Sequence, residues 1–344
     1  MRILLVGLGS IGQRHARNLR ATLGGNVELL AYRVRGLTHI ITPDMRIAPG
    51  DVEARYGLTV FTNLEDALAA RPDAVFVTNP NSLHIPVALA AARAGCHLFI
   101  EKPLSHDLQY VDDLIDEIDR RRLVCLVGYQ WRFHPALKLV QCRLQAKAIG
   151  RLLGARLQFG EHLPDWHPYE DYRQTHVSQR SLGGGVILAQ IHDLDYAYSL
   201  FGIPRRVFAM GGHLSQLSMD AEDTASILME CVADGCRFPV HLHQDCVRRP
   251  PTRRCEVIGE EGTILLDLQA QTVEISDGSG RLIDAHAFDG RDRNQLFLDE
   301  LDHFLACLRG EQQPIVNVRE ATISLRMAIA ARESMDTGRV VHLE

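Results

Sequence analysis

"RILLVGLGSIGQRHARNLRAT", residues 2–22, decides the fold of the first third of the chain. Residues 2–7 form a short apolar run, the pattern of a strand buried on both faces. Gly7, Gly9 and Gly12 then make a G-x-G-x-x-G, and a helical stretch follows. Each glycine has a physical task in such a unit. Gly7 permits the tight turn, Gly9 lets backbone approach a pyrophosphate, and Gly12 lets the helix pack on the strand. The free N–H groups of the helix start, at Ser10 and Ile11, then face the anion. A strand before and a helix after lift the motif above a chance match.

Working outward, "VELLAY" (27–32) predicts the second strand. In NAD-binding units an acidic residue usually ends this strand and binds the ribose 2′-hydroxyl. Here the place holds Tyr32 and Arg33, with Arg35 close by. A guanidinium matches the oxygens of a 2′-phosphate with a fork of donors, which tilts the expected NAD(P) cofactor toward NADP. An arginine at this place also stacks on adenine while NAD binds, and a solvated loop charge is the plain alternative. The alternation continues with a helix over 62–70 capped by Asn63, a strand over 73–80 and a helix over 81–95 closed by Gly95. A strand over 97–104, a helix over 107–121 and a strand over 123–129 complete it. This is the pattern of an α/β Rossmann domain, a doubly wound parallel sheet. Ligands of such sheets bind beyond the carboxyl ends of the strands. That puts Gly7–Gly12, Thr78, Asn79, Pro80, Asn81, Glu101 and Lys102 on one rim. A lysine ending an apolar strand either snorkels to water or serves the rim, and Lys102 is read as a proton donor and hydroxyl clamp.

The pattern changes after about residue 125. Runs with β character recur at 151–161, 205–213, 223–233, 237–245, 253–260, 262–268 and 271–276, without helices between most of them. An open, mostly antiparallel sheet in an α+β domain follows, with amphipathic helices over 294–310 and 318–338. The expected domains are 1–125, binding the dinucleotide, and 126–344, binding substrate and other subunits. A chain of 344 residues has the length for two such cores. Its net charge of −6 gives nothing that draws nucleic acid or an anionic membrane in bulk. No apolar run reaches the roughly 18 residues of a membrane span, and the N-terminal run is too short for a signal peptide. The eight cysteines are scattered without a C-x-x-C pair, so reduced thiols in a cytoplasmic protein are expected, and no metal site.

"GGGVILAQIHDLD" (183–195) carries the next question. From Val186 it reads as one helix, with residues 189, 192 and 195 on one face. A histidine on an apolar face is more often a satisfied core residue. The glycines favour a working role for His192, because they let backbone come close to a ligand. The loop "EHLPDWHPYEDYRQTH" (161–176) reads as a solvated segment or as a wall of a sugar site. In the second case its aromatic residues stack on a pyranose and Arg173 holds an anion.

With "GLGSIG", "NPNSLHIPVALAAARAG", "EKP", "GYQWRFHP" (128–135) and "GGG…H-x-x-D" in this order, the chain resembles the Gfo/Idh/MocA oxidoreductases along essentially its whole length. That resemblance implies a Rossmann domain, an open sheet whose face serves oligomerisation as a homodimer or homotetramer, and hydride transfer between NAD(P) and a sugar or nucleotide-sugar. It implies cofactor contacts at Gly7, Gly9, Ser10, Ile11, Gly12, Tyr32, Arg33, Thr78, Asn79, Pro80, Asn81, His84, Glu101, Lys102 and Gln130. Lys102 and His192 match the catalytic pair, and substrate contacts fall at Lys102, Arg132, Trp166, Tyr172, Arg173 and His192. "DWHPYEDYR" also looks like a subgroup tied to surface-glycan and nonulosonic-acid sugars. Ala189 departs from the pattern, since many members carry an aspartate one turn before the histidine. A carboxylate there fixes the tautomer and raises basicity, so its loss moves the main proton-transfer role to Lys102, with Asp195 one turn later as a possible substitute. Two rival readings follow: a cofactor-binding protein with little catalysis, and an elimination in which tightly held NAD is regenerated each cycle.

Overall fold

The computed structural model describes residues 1–34, 39–288, 290 and 292–343, so Arg35 lies outside the described residues. The chain divides into two compact units. The first comprises Met1–Tyr129, His167–Asp171 and Phe297–Thr322. The boundary expected at 125/126 therefore falls inside a strand of this unit, and the unit draws in two later segments.

The first unit holds β1 (Arg2–Val6), α1 (Ser10–Leu23), β2 (Glu28–Tyr32), α2 (Val52–Tyr56), β3 (Leu58–Phe61), α3 (Leu64–Ala69) and β4 (Ala74–Val77). It continues with α4 (His84–Arg93), β5 (His97–Glu101), α5 (Val111–Arg121) and β6 (Cys125–Gly128). Its six strands run parallel in the order β3-β2-β1-β4-β5-β6. The order reverses between β1 and β4, and such a switch point opens a crevice at the carboxyl ends. The expected Asn63 cap is present, its side chain accepting from Glu65 N at 2.7 Å and Asp66 N at 3.4 Å. β3 went unrecognised in the sequence because an edge strand of three half-buried residues and one exposed has no continuous apolar run. The core is aromatic. Phe76 stacks on Phe99 at 4.6 Å between centroids, and Phe304 stands edge-on to both at 5.5 Å.

The second unit comprises Gln130–Trp166, Tyr172–Leu296 and Ile323–Glu344. It contains α6 (Pro135–Gln145), β7 (Leu152–Gly160), the short α7 (Val186–Ala189), α8 (His192–Phe201), β8 (Arg206–Gly212), β9 (Thr224–Ala233), β10 (Cys236–Asp245) and β11 (Thr252–Gly259). Then come β12 (Gly262–Asp267), β13 (Thr272–Asp277), β14 (Leu282–Ala287), α9 (Arg293–Leu308), α10 (Val318–Thr337) and β15 (Val341–His342). α9 and α10 each cross from one unit's residues to the other's. Nine strands form one sheet in the order β14-β13-β12-β11-β7-β10-β9-β8-β15. All pairs are antiparallel except β7 with β10. The open, mostly antiparallel sheet expected from the sequence is present.

One expectation fails. Residues 186–201 are two helices, because Gln190 breaks the ladder at φ −112°, ψ 36°. Its carbonyl accepts from Gln244 Nε2 at 2.7 Å, and its amide oxygen accepts from Arg253 at 2.5 Å. Ala189 and His192 thus close one helix and open the next. Beyond the break, Arg132 grips Asp195 bidentately at 2.7 and 3.0 Å, and Ser324 adds a bond at 3.1 Å. Removing one member of a buried ion pair strands the other. Asp195→Ala is expected to lower stability by about 3–5 kcal/mol, read from urea unfolding.

Candidate active site

The glycine turn can be tested by asking what a side chain would meet. A Cβ on Gly7, at φ +97°, would lie 2.9 Å from the Thr78 carbonyl oxygen, and one on Gly12 would lie 2.2 Å from the Gly7 carbonyl oxygen. Both positions exclude any side chain. Gly9 is the opposite case, with nothing within 4 Å of its Cβ position. This open ground lies at the start of α1. The helix N-cap is Gly9 itself, with no side-chain cap bond and no acidic residue in the first turn. N–H groups left without a side-chain acceptor, at the positive end of a helix, suit an anion. Thr78 ties the rim together, its Oγ1 lying 3.0 and 2.8 Å from the Val6 and Gly7 carbonyls. On the same rim, Asn79 Oδ1 is buried without a hydrogen-bond partner among the described residues. The residues present therefore fit a dinucleotide, with an open approach for phosphate and an acceptor awaiting a donor.

Tyr32 ends β2, and Arg33 follows it with its guanidinium 3.2 Å from Glu53 Oε1 on α2. Asn81 is buried beside Pro80. His84 is buried, and its two ring nitrogens lie 2.8 Å from the carbonyls of Pro103 and Asn79. It thereby braces the ends of β4 and β5 against each other. Burial pushes its pKa down, outweighing the two carbonyls and Glu101, which act upward. Glu101 closes β5, accepting from His15 Nε2 at 2.7 Å and from the Lys102 amide at 3.3 Å. Lys102 follows, partly exposed. Part of the 161–176 loop belongs to this unit. Tyr169 bonds through its hydroxyl to Ser10, and burial pushes its pKa up to about 12. The sequence leaves Tyr169 in a loop read as either solvated or a sugar wall, and nothing local in it signals a partner 159 positions away.

The second unit arranges its own candidates. Gln130 is buried. Arg132 is engaged by Asp195 as described and lies 5.5 Å from the Tyr198 ring. Trp166 donates to the Glu161 carbonyl at 3.2 Å and meets Phe159 edge-on. The Tyr172 hydroxyl accepts from Ser218 N at 3.1 Å, and Arg173 is exposed. His192 is buried at the first turn of α8. Its neighbour Asp193 is fully buried and meets Tyr196 Oη at 2.7 Å, Gln244 Nε2 at 3.1 Å and Arg253 Nε at 3.3 Å. Asp195, the substitute considered for the carboxylate missing at 189, carries Arg132 and Ser324 on its carboxylate. The glycines before α7 approach protein within this unit. A Cβ on Gly184 would strike the His176 and Val177 carbonyls at 2.4 and 2.5 Å, and one on Gly185 would strike the Glu222 carboxylate at 2.3 Å. Glu222 is itself bound by Arg332 at 2.7 Å. The inference from these glycines to a ligand is therefore replaced by a packing reason.

Residues 1–129 match an oxidoreductase family with an NAD-binding Rossmann fold, and residues 137–265 match the GFO/IDH/MocA C-terminal domain. The chain belongs to the GFO/IDH/MocA oxidoreductases. It is 27% identical over 358 residues to scyllo-inositol 2-dehydrogenase (NAD(+)) of Bacillus subtilis (strain 168), a match covering 100% of this chain and 96% of that one. It is 29% identical over 279 residues to UDP-N-acetylglucosamine 3-dehydrogenase of Acidithiobacillus ferrooxidans, covering 80% and 76%. The WlbA dehydrogenase of Bordetella pertussis, solved in complex with NADH and UDP-GlcNAcA, shares the fold with a TM-score of 0.80 at 22% identity, covering 100% and 99%. No helix among the described residues is long and apolar enough to cross a membrane, and none of their His, Cys, Asp and Glu side chains cluster as a metal site.

For this GFO/IDH/MocA chain the glycine geometry separates folding from binding. Gly12→Ala is expected to destabilise by about 2 kcal/mol or more, since backbone cannot give way as a flexible side chain does. Gly9→Ala is expected to stay within about 0.5 kcal/mol of the parent while weakening NADH binding. Urea unfolding and a nicotinamide fluorescence titration of both variants check the contrast.

Proposed function

We propose that the protein is an NAD(P)-dependent dehydrogenase that moves a hydride between nicotinamide and a carbon of a sugar or nucleotide-sugar. The observation that carries this reading is the shared rim. The open glycine turn, the unpartnered Asn79 acceptor and Lys102 all sit at carboxyl ends of one parallel sheet. Gly7, Gly9, Ser10, Ile11, Gly12 and the Thr78–Asn81 segment hold the dinucleotide. When bound, its nicotinamide supplies the hydride acceptor or donor. Lys102 takes or returns the proton of the reacting hydroxyl, and His192 orients that hydroxyl. Substrate is held by Trp166, Tyr172 and Arg173. The relatives named for inositol and for UDP-N-acetylglucosamine support a polyhydroxylated ring as substrate. The outward face of the nine-stranded sheet exposes Met210, Leu228 and Leu265, which supports a homo-oligomer joined there.

The choice between NAD and NADP falls to Arg33. Glu53 sets a negative charge beside the Arg33 guanidinium, and a carboxylate there opposes the preference for a 2′-phosphate that the arginine favours. Glu53→Gln is expected to raise the NADPH-to-NADH affinity ratio several-fold, measured by fluorescence titration of each cofactor. An unchanged ratio would remove Arg33 from the choice. Lys102→Ala is expected to lower kcat by roughly 10²–10⁴-fold, with cofactor affinity retained. Turnover within a few-fold of the parent would overturn the proton-transfer role.

A further inference from the structure

The loop over 161–176 sends five of its residues into the first unit. His167–Asp171 belong there, while Trp166 and Tyr172 on either side belong to the second. These five residues hold a turn whose shape is set locally. Pro168 stands at the second position of His167-Pro168-Tyr169-Glu170, where its fixed φ favours a turn. The Glu170 N–H donates to the His167 carbonyl at 3.1 Å and closes it. His167 Nδ1 lies 2.9 Å from Glu170 Oε1, and the His167 ring stacks on that of Tyr169 at 5.4 Å between centroids. The Tyr169 ring is therefore positioned by its own turn.

That ring reaches the face of α1 shared by Ser10 and Arg14, one helical turn apart. Its hydroxyl bonds to Ser10, the first residue of the helix, and Arg14 acts on it as a nearby positive charge. This is the end of α1 that has no side-chain cap. The Gln13 N–H makes the first helical bond, to the Gly9 carbonyl at 2.9 Å, and the N–H groups of Ser10, Ile11 and Gly12 lie ahead of it. A phenol suits this mouth only as a neutral donor, because a phenolate repels a phosphate. Burial pushes the Tyr169 pKa up to about 12, so its O–H persists at neutral pH. Ser10 acts downward on that pKa, as a hydroxyl donating to the phenol oxygen does, and Glu170 acts upward, as a carboxylate accepting the phenol proton does. The O–H is thus held by an acid of its own turn, beside the N–H groups that attract a phosphate.

We propose that Tyr169 is a cofactor-binding residue: its O–H turns from Glu170 to the diphosphate of the dinucleotide, so that the His167–Asp171 turn straps the phosphate onto α1 and slows its release. His167 stays with Glu170 and offsets the charge that the phenol leaves behind. The inference rests on the dinucleotide reading of the glycine turn given above, and it adds a ligand from outside the glycine motif.

The probes are ADP, which carries a diphosphate, and adenosine, which does not. Each is measured by its displacement of NADH from the protein, followed by nicotinamide fluorescence. Tyr169→Phe keeps the ring on His167 and removes only the hydroxyl. It is expected to weaken ADP about tenfold or more, the size of a hydrogen bond to a charged group, and to leave adenosine within about twofold of the parent. The NADH dissociation rate should rise by a similar factor, with the association rate little changed. ADP affinity within about twofold of the parent, or an equal loss for adenosine, would overturn the proposal; the second result would mean that Tyr169 supports the nucleoside or the fold rather than the phosphate. The parent protein gives a reading that needs no variant. Hydrogen exchange of the 167–171 segment should slow on saturation with ADP and stay unchanged with adenosine, and a segment that exchanges as fast with ADP as without it would sink the idea. If the parent bound neither NADH nor ADP, the dinucleotide reading would fail and this inference with it. If the parent bound both and Tyr169→Phe changed neither affinity, only the role of Tyr169 would fall.

Discussion

No side chain fits between the ends of β1 and β4. The Gly7 carbonyl sits where a Gly12 Cβ would be, and the Thr78 carbonyl sits against Gly7. That contact fixes how closely α1 approaches the sheet, and hence where its first free N–H groups point. Thr78 completes it by bonding back to the turn. The rest of the rim is then referenced to the same point. His84 links the Asn79 carbonyl to the Pro103 carbonyl, so the segments after β4 and β5 cannot drift apart. Of the three glycines in this turn, Gly9 alone is free of close neighbours, and that bare stretch of backbone is the place where a phosphate would arrive.

The second unit solves a different problem, that of seating acidic groups in a dry interior. A buried carboxylate is tolerated only when donors surround it. Asp195 receives Arg132 and Ser324; Asp193 receives Arg253, Tyr196 and Gln244; Glu222 receives Arg332. Arg253 in turn lies 5.0 Å from the Trp131 ring centroid and 4.5 Å from that of Phe159. This network also explains the chain path around His192. Gln190 leaves helical backbone angles while its carbonyl accepts from Gln244 and its side-chain oxygen from Arg253, and the resulting break sets the start of α8 at His192.

The parts of this architecture that depend on local chemistry were legible in the sequence. The glycine spacing, the apolar strands of a doubly covered sheet and the Asn63 cap each follow from neighbours a few residues apart. What stayed hidden depends on partners far along the chain. β3 is an edge strand without a distinctive pattern, and α6 is capped by His134 rather than by a usual cap residue. The break at Gln190 is made by residues more than 50 positions away. The glycines at 184 and 185 suggested a ligand, but they are needed because chain segments cross there. Glu53 and Tyr169 could be placed against Arg33 and Ser10 only by the fold. Glu300 shows the limit most clearly: periodicity identified its helix as amphipathic, yet periodicity cannot say that an acid on the inner face will stay neutral.

The first unit treats acids differently from the second, and the difference bears on how the rim is held. Glu101 has the His15 ring and a backbone amide as hydrogen-bond partners. Glu300 has none among the described residues, and burial, with Glu101 adding to it, pushes its pKa well up. The His15 ring and the Lys102 amide converge on Glu101 at the end of β5, so the backbone is held at the residue immediately before Lys102, where a fixed backbone matters most.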